Sequence, residues 1–266
     1  IIGLMNNPIG IIDSGVGGLS IASAIAKKLP KESIIYLADS KNCPYGDKSP
    51  EEVYELSKRM ADFLVKKDIK LLVVACNTIT ILAIDRLRKD FPGLPIVGIV
   101  PVIKTAAERT RNGRIGIFST NATSESQYQR DLINRFARES EVIPVGSSSL
   151  VGLIEKCNFD SIAEILPQEL SPFKEAGIDT LALGCSHFPL IKEYIKKVLP
   201  NVLILDSASA VARQVGRILK ANGILSEGND SVYNFLTTGD KETMEYFIKK
   251  EFGKKVSKPK RIDLNG

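Results

Sequence analysis

Two cysteines sit in matching settings, one in each half of the chain. Ile-Lys-Leu-Leu-Val-Val-Ala-Cys-Asn-Thr at 69–78 is echoed by Ile-Asp-Thr-Leu-Ala-Leu-Gly-Cys-Ser-His at 178–187. In each, an apolar run of strand type ends in a small residue, then the cysteine, then a polar pair that opens a helical pattern. Cys76 and Cys185 are therefore expected at strand-to-helix junctions, where the positive end of a helix dipole favours thiolate over a thiol of ordinary pKa about 8.5. Without such help only roughly 3% of a thiol is ionised at pH 7. Two activated thiols offer chemistry that one cannot. A carbon acid held between them loses a proton to a thiolate on one face and gains one from a thiol on the other, which inverts the stereocentre by general acid–base catalysis.

Other residues fall where they would assist. Asp13 ends the first apolar run, and His187, the only histidine, lies two residues past Cys185. Asp13-Ser14-Gly15-Val16-Gly17-Gly18 follows a strand pattern and opens a helix, so its backbone N–H groups suit an anion such as a carboxylate. Gly15 and Gly17 resemble part of a dinucleotide fingerprint, with Asp39 as the ribose-binding acid. Ser20 in place of the third glycine argues against that reading. Asn42-Cys43-Pro44-Tyr45-Gly46 marks a loop, with Cys43 a thiol of no chemical role. Thr120 and Thr123 either cap the next helix or match the side of the site that holds Ser14. Cys157 lies on a helical pattern and is expected to pack. A competing reading makes Cys76, Cys185, His187 and Asp13 zinc ligands, but no Cys-x-x-Cys pair or second histidine supports it.

The elements that must position these groups alternate strand and helix, which predicts an α/β fold with mostly parallel sheets. Strands are expected at 9–13, 33–39, 71–75, 95–98, 114–119, 141–144, 180–184 and 202–205. Ser49-Pro50-Glu51-Glu52 reads as an N-cap, a first-turn proline and two first-turn acids, opening a helix to about Lys67. The halves repeat. Ile9-Gly10-Ile11-Ile12-Asp13-Ser14 resembles Ile115-Gly116-Ile117-Phe118-Ser119-Thr120, and the two cysteine segments lie nearly the same length of chain apart. We therefore expect two similar α/β domains, 1–99 with 207–266 and 100–206, related by a pseudo-twofold with the active site in the cleft between them. Ligands of such sheets bind at strand carboxyl ends.

Composition narrows the class. With 266 residues and 44% hydrophobic content the chain can bury a large core, yet its apolar runs are far shorter than the roughly 20 residues a membrane helix needs. No secretory signal is evident, and Met5 reads as a start after a short lead at 1–4. Four irregularly spaced cysteines form no disulfide framework, so a cytoplasmic setting is expected. The net charge is only +5, and the basic cluster of Lys254, Lys255 and 258–261 has no interleaved aromatics. It is expected to be a solvated tail, with neither nucleic acid nor membrane as partner.

Taken together, the motifs Asp13-Ser14-Gly15-Val16-Gly17-Gly18, Asp39-Ser40 with Pro44-Tyr45-Gly46, Ala75-Cys76-Asn77-Thr78 and Gly184-Cys185-Ser186-His187-Phe188-Pro189-Leu190 resemble those of the cofactor-independent glutamate racemases of bacterial cell-wall synthesis. The resemblance runs from Ile9 to about Asp206 and implies that Cys76 and Cys185 are the acid–base pair, assisted by Asp13, Glu155 and His187. It also implies that Asp13, Ser14, Pro44, Tyr45, Gly46, Asn77, Thr78, Thr120, Thr123, Ser186 and His187 line the amino-acid site. Members of that family use neither pyridoxal phosphate nor metal, often form homodimers, and supply D-glutamate for peptidoglycan; relatives in the wider superfamily act on aspartate or hydantoins. Two positions depart from the pattern: Ser186 replaces the usual threonine while keeping a hydroxyl, and the run before Glu155 lacks the usual prolines.

Overall fold

The computed structural model describes residues 5–228, 230–253 and 256–264. Residues 1–4, Lys254 and Lys255 lie outside that set. The strands are β1 (Ile9–Asp13), β2 (Ile34–Ala38), β3 (Leu71–Val74), β4 (Ile96–Val97), β5 (Arg114–Ser119), β6 (Glu141–Gly146), β7 (Thr180–Leu183), β8 (Leu203–Leu205), β9 (Tyr233–Thr237) and β10 (Lys260–Arg261). All of their pairings are parallel. The chain divides into two compact units, Ile1–Ile99 with Ala208–Gly266, and Val100–Ser207.

The first unit carries a sheet of order β10-β9-β2-β1-β3-β4, and the second one of order β6-β5-β7-β8. Removing β9 and β10 leaves the same order twice. The register repeats as well: Ile9 and Gly10 pair with Leu71 and Leu72, and Ile115 and Gly116 with Thr180 and Leu181. Packing explains the repeated glycine. A Cβ on Gly10 would lie 2.7 Å from Ile69 Cδ1, and one on Gly116 would lie 2.7 Å from Ile178 Cδ1. Each of these isoleucines stands two residues before the cysteine-bearing strand of its own unit.

Central strands read as continuous apolar runs because helices cover both faces of a parallel sheet; every residue of β1, β2, β3 and β7 is buried. The helix Pro50–Val65 begins at a full capping box, Ser49 with Glu52, as its opening tetrapeptide implies. Cys157 departs from expectation. It follows the helix Ser149–Glu155 in a tight turn at φ 50°, half-buried, rather than riding a helical face.

The two strands not anticipated lie in the returning segment. Here β9 pairs with β2, Phe235 opposite Tyr36, and β10 adds to β9 as an edge strand. The expected solvated tail is thus partly ordered: Lys260 and Arg261 expose their side chains while their backbone pairs with Leu236 and Thr237. Val211, Ala212, Val215 and Leu219 of the helix Ala208–Ala221 are buried where it packs on the helix Leu19–Lys28. A buried ion pair fixes this return. Lys70 Nζ lies 2.6 Å from Glu32 Oε2 and donates to the carbonyls of Met5 and Ile224, at 2.6 and 2.9 Å. Glu32 Oε1 accepts from the Ser226 N–H at 2.8 Å. Removing one member of a buried pair strands the other charge. Glu32→Ala is accordingly expected to lose about 3–5 kcal/mol of unfolding free energy in urea, and the double variant Glu32→Leu, Lys70→Met much less. A loss below about 1 kcal/mol in the single variant would contradict this role.

Candidate active site

In the first unit, parallel register brings the ends of β1, β2 and β3 side by side, with Ile12 opposite both Leu37 and Val74. Asp13 closes β1, fully buried, and its Oδ1 accepts from the Gly15 N–H at 2.8 Å, a local turn of the kind aspartate favours. Tyr36 on the neighbouring strand pins that turn by donating its hydroxyl to the Gly15 carbonyl at 2.6 Å. Ser14 is thereby directed at the cysteine: its Oγ lies 3.6 Å from Cys76 Sγ. Cys76 is 4% exposed and is the N-cap of the helix Asn77–Leu82, with extended backbone and its carbonyl accepting from the Thr80 N–H. The thiol therefore stands at the orphan N–H end of a helix, as its sequence setting implies. Asn77 and Thr78 form the first turn, Thr78 buried and Asn77 half-buried.

The 43–46 loop joins this group. Tyr45 is buried and donates its hydroxyl to Asp39 Oδ2 at 2.6 Å. Burial first, and then the neighbouring Asp39 carboxylate, push the Tyr45 phenol far above its usual range, and Cys76 adds to the shift in the same direction. Tyr45 thus keeps a neutral phenol near Cys76, flanked by half-buried Pro44 and Gly46. Asp39 is not an open ribose-binding acid, because both of its oxygens are held by Asn42, Tyr45 and Thr238.

In the second unit, Cys185 lies two residues past β7 and is 6% exposed. One expectation is corrected here. No α-helix starts at this cysteine: the chain bends, and a short 3-10 turn follows at Phe188–Ile191. Pro189 lacks an N–H and Phe188 is anchored in the core, its ring 4.5 Å from that of Phe118. The turn holds His187, 2% exposed, with Nε2 2.6 Å from Oε1 of Glu155, the last residue of the helix Ser149–Glu155. A carboxylate at this distance fixes the orientation of the ring. Ser186 beside them is buried. Thr120 caps the helix Asn121–Ser124, accepting from the Thr123 N–H at 3.4 Å and donating to Thr123 Oγ1 at 3.1 Å. Thr120 is therefore the cap and Thr123 a residue of the capped turn, both just past the carboxyl end of β5.

Within each unit, then, the residues singled out in sequence converge at strand carboxyl ends. Residues 9–215 match the model of the Asp/Glu/hydantoin racemase family. The chain belongs to that family. It is 40% identical over 244 residues to a glutamate racemase of Pseudomonas putida, covering 91% of this chain and 92% of that protein. Its structure is similar to that of a glutamate racemase isoform of Bacillus anthracis, with a TM-score of 0.86, 35% identity, and coverage of 97% of this chain and 98% of that one. It is also similar to an Escherichia coli glutamate racemase in complex with L-glutamate and the activator UDP-MurNAc-ala, with a TM-score of 0.84, 30% identity, and coverage of 96% and 98%. Two parallel-stranded α/β units are thus the architecture this racemase family shares with the chain.

Tyr45 provides a test of the first-unit geometry that needs no substrate. Of the seven tyrosines, Tyr45 is expected to resist ionisation in an alkaline titration followed at 295 nm, and Tyr45→Phe should remove a late-titrating component. The folded phenol keeps its proton while the unfolded one loses it near pH 10. The stability this bond confers is therefore present below about pH 10 and falls as pH rises above it. Ionisation of Tyr45 together with exposed phenols near pH 10 would refute the arrangement.

Proposed function

We propose that this chain racemises glutamate without a cofactor, using Cys76 and Cys185 as the two acid–base groups. The observation that carries the reading is the position of the thiols. Each lies two residues beyond the end of the corresponding strand, β3 or β7, in sheets of the same order and register, within a chain of the racemase family. The relatives named above are glutamate racemases, and one of them was solved with L-glutamate.

In the proposed reaction, L-glutamate is held with its α-carbon between the two sulfurs. One thiolate removes the α-proton, leaving a carbanion and a neutral thiol; the opposite thiol protonates the other face and becomes thiolate. Protons and charge balance, and the reverse direction exchanges the roles. Asp13 serves the Cys76 side and the His187–Glu155 pair the Cys185 side. Ser14, Pro44, Tyr45, Gly46, Asn77, Thr78, Thr120, Thr123, Ser186 and His187 bind the amino acid, the backbone N–H groups around 14–18 and 77–78 suiting its carboxylates. The product would be D-glutamate for peptidoglycan, made in the cytoplasm by a homodimer. Family membership supports the racemase activity, and four free cysteines suit a reducing compartment.

The decisive assay is chiral chromatography of purified protein with L-glutamate and no added cofactor, with L-aspartate in parallel. Turnover of glutamate, unaffected by chelators or pyridoxal phosphate, is expected. Cys76→Ala and Cys185→Ala should each lower it by about a thousandfold or more, since neither thiol reaches both faces. Solvent deuterium should enter the α-carbon chiefly on inversion. Full activity in either alanine variant, or activity lost to a chelator, would overturn the mechanism.

A further inference from the structure

The proposed binding loop is held by a buried carboxylate that has no cationic partner among the described residues. Asp39 follows β2, is 1% exposed, and meets only neutral donors: Tyr45 Oη at 2.6 Å, Thr238 Oγ1 at 2.7 Å, and Asn42 Nδ2 at 3.0 Å to each oxygen. Its backbone is tied on both sides as well. The Asp39 N–H donates to the Asp13 carbonyl at 3.0 Å, and the Asp39 carbonyl accepts from the Asn42 N–H at 3.0 Å. One residue thus links the end of β1, the 40–42 turn and the ring of Tyr45.

The returning segment supplies the other half of the support. The Thr238 hydroxyl donates to Asp39 and accepts from the Lys41 N–H at 3.1 Å, while the Thr238 N–H donates to the Ala38 carbonyl at 3.0 Å. Gly239 follows in close contact, since a Cβ there would lie 2.7 Å from Ser40 Cβ. Thr238 lies outside the residues 9–215 that match the family model. The residues that follow β9 therefore buttress the 43–46 loop, which the proposed function reads as a substrate contact.

We propose that Asp39 is a positioning residue for the 43–46 loop and that Thr238 holds Asp39 in place. This rests on the reading of Pro44, Tyr45 and Gly46 as substrate contacts. A phenol carries one proton, and Tyr45 commits it to Asp39. Tyr45 consequently offers substrate its ring and backbone, with the hydroxyl serving as an anchor. Binding of the amino acid, not the chemical step, depends on this anchor.

The test compares Asp39→Asn, Thr238→Val and Tyr45→Phe with the parent protein. Asp39→Asn keeps the shape but turns an acceptor oxygen into a donor facing donors, and Thr238→Val removes a hydroxyl that both donates and accepts. KM for glutamate should rise about tenfold or more in Asp39→Asn and about threefold in Thr238→Val and Tyr45→Phe, with kcat within about threefold, the signature of lost ground-state binding. Hydrogen–deuterium exchange over 40–46 should quicken in the Asp39 and Thr238 variants. Should Asp39→Asn fail to fold, the same split in Thr238→Val decides. If the parent turns over glutamate while folded variants keep its KM, or lose kcat alone, the positioning role is wrong and the racemase reading stands. If the parent does not turn over glutamate, that reading fails, and unchanged exchange over 40–46 would then overturn the anchoring role separately.

Discussion

Parallel pairing puts the carboxyl ends of neighbouring strands at one edge of a sheet, and every group with chemical potential here depends on that alignment. With Ile12 opposite Leu37 and Val74, the residues at or just past the ends of β1, β2 and β3 become neighbours although they are far apart in sequence. Asp13, Asp39 and Cys76 are those residues. A shift of one residue would turn each apolar strand's side chains to the opposite face and separate Ser14 from Cys76. The same constraint acts in the second unit, where Phe118 lies opposite Leu183, two residues before Cys185.

The internal repeat is physical as well as textual. Equivalent glycines on β1 and β5 admit equivalent isoleucines, and the two sheets share order and register around them. The units then diverge after their cysteines. Cys76 caps an α-helix, whereas Cys185 leads into a 3-10 turn that delivers His187 to Glu155. One thiol has a helix terminus and a serine hydroxyl for company, the other a histidine–carboxylate pair nearby.

Two clusters of buried polar groups tie distant parts of the first unit together. Lys70 and Glu32 gather Met5, Ile224 and Ser226, and Asp39 gathers Asn42, Tyr45 and Thr238. Such groups are costly to bury unless their partners are met, so each cluster admits few alternative arrangements of the chain. Both clusters recruit residues beyond position 207, and the second ties the returning segment to the 43–46 loop. Described helices include none long and apolar enough to cross a membrane.

Much of this was legible in the sequence because it rests on local pattern. Alternating apolar runs and capping signals marked eight strands and the helix after Ser49; the two cysteine segments disclosed the repeat; motif and spacing pointed to Asp13, Ser14, Tyr45 and His187. The turn after Cys185 is not legible in the sequence, because a helical pattern and a 3-10 turn share their first residues and core anchoring of Phe188 decides between them. Strands β9 and β10 were not foreseen, since Tyr233–Thr237 is a short run whose pairing with β2 is set by contacts nearly two hundred residues apart. Local chemistry thus determined which side chains could react and which segments would be strands. Only tertiary structure decided that Thr238 meets Asp39 and that Lys70 meets Glu32, because such partners are selected by desolvation at distant points of the chain, which no local pattern encodes.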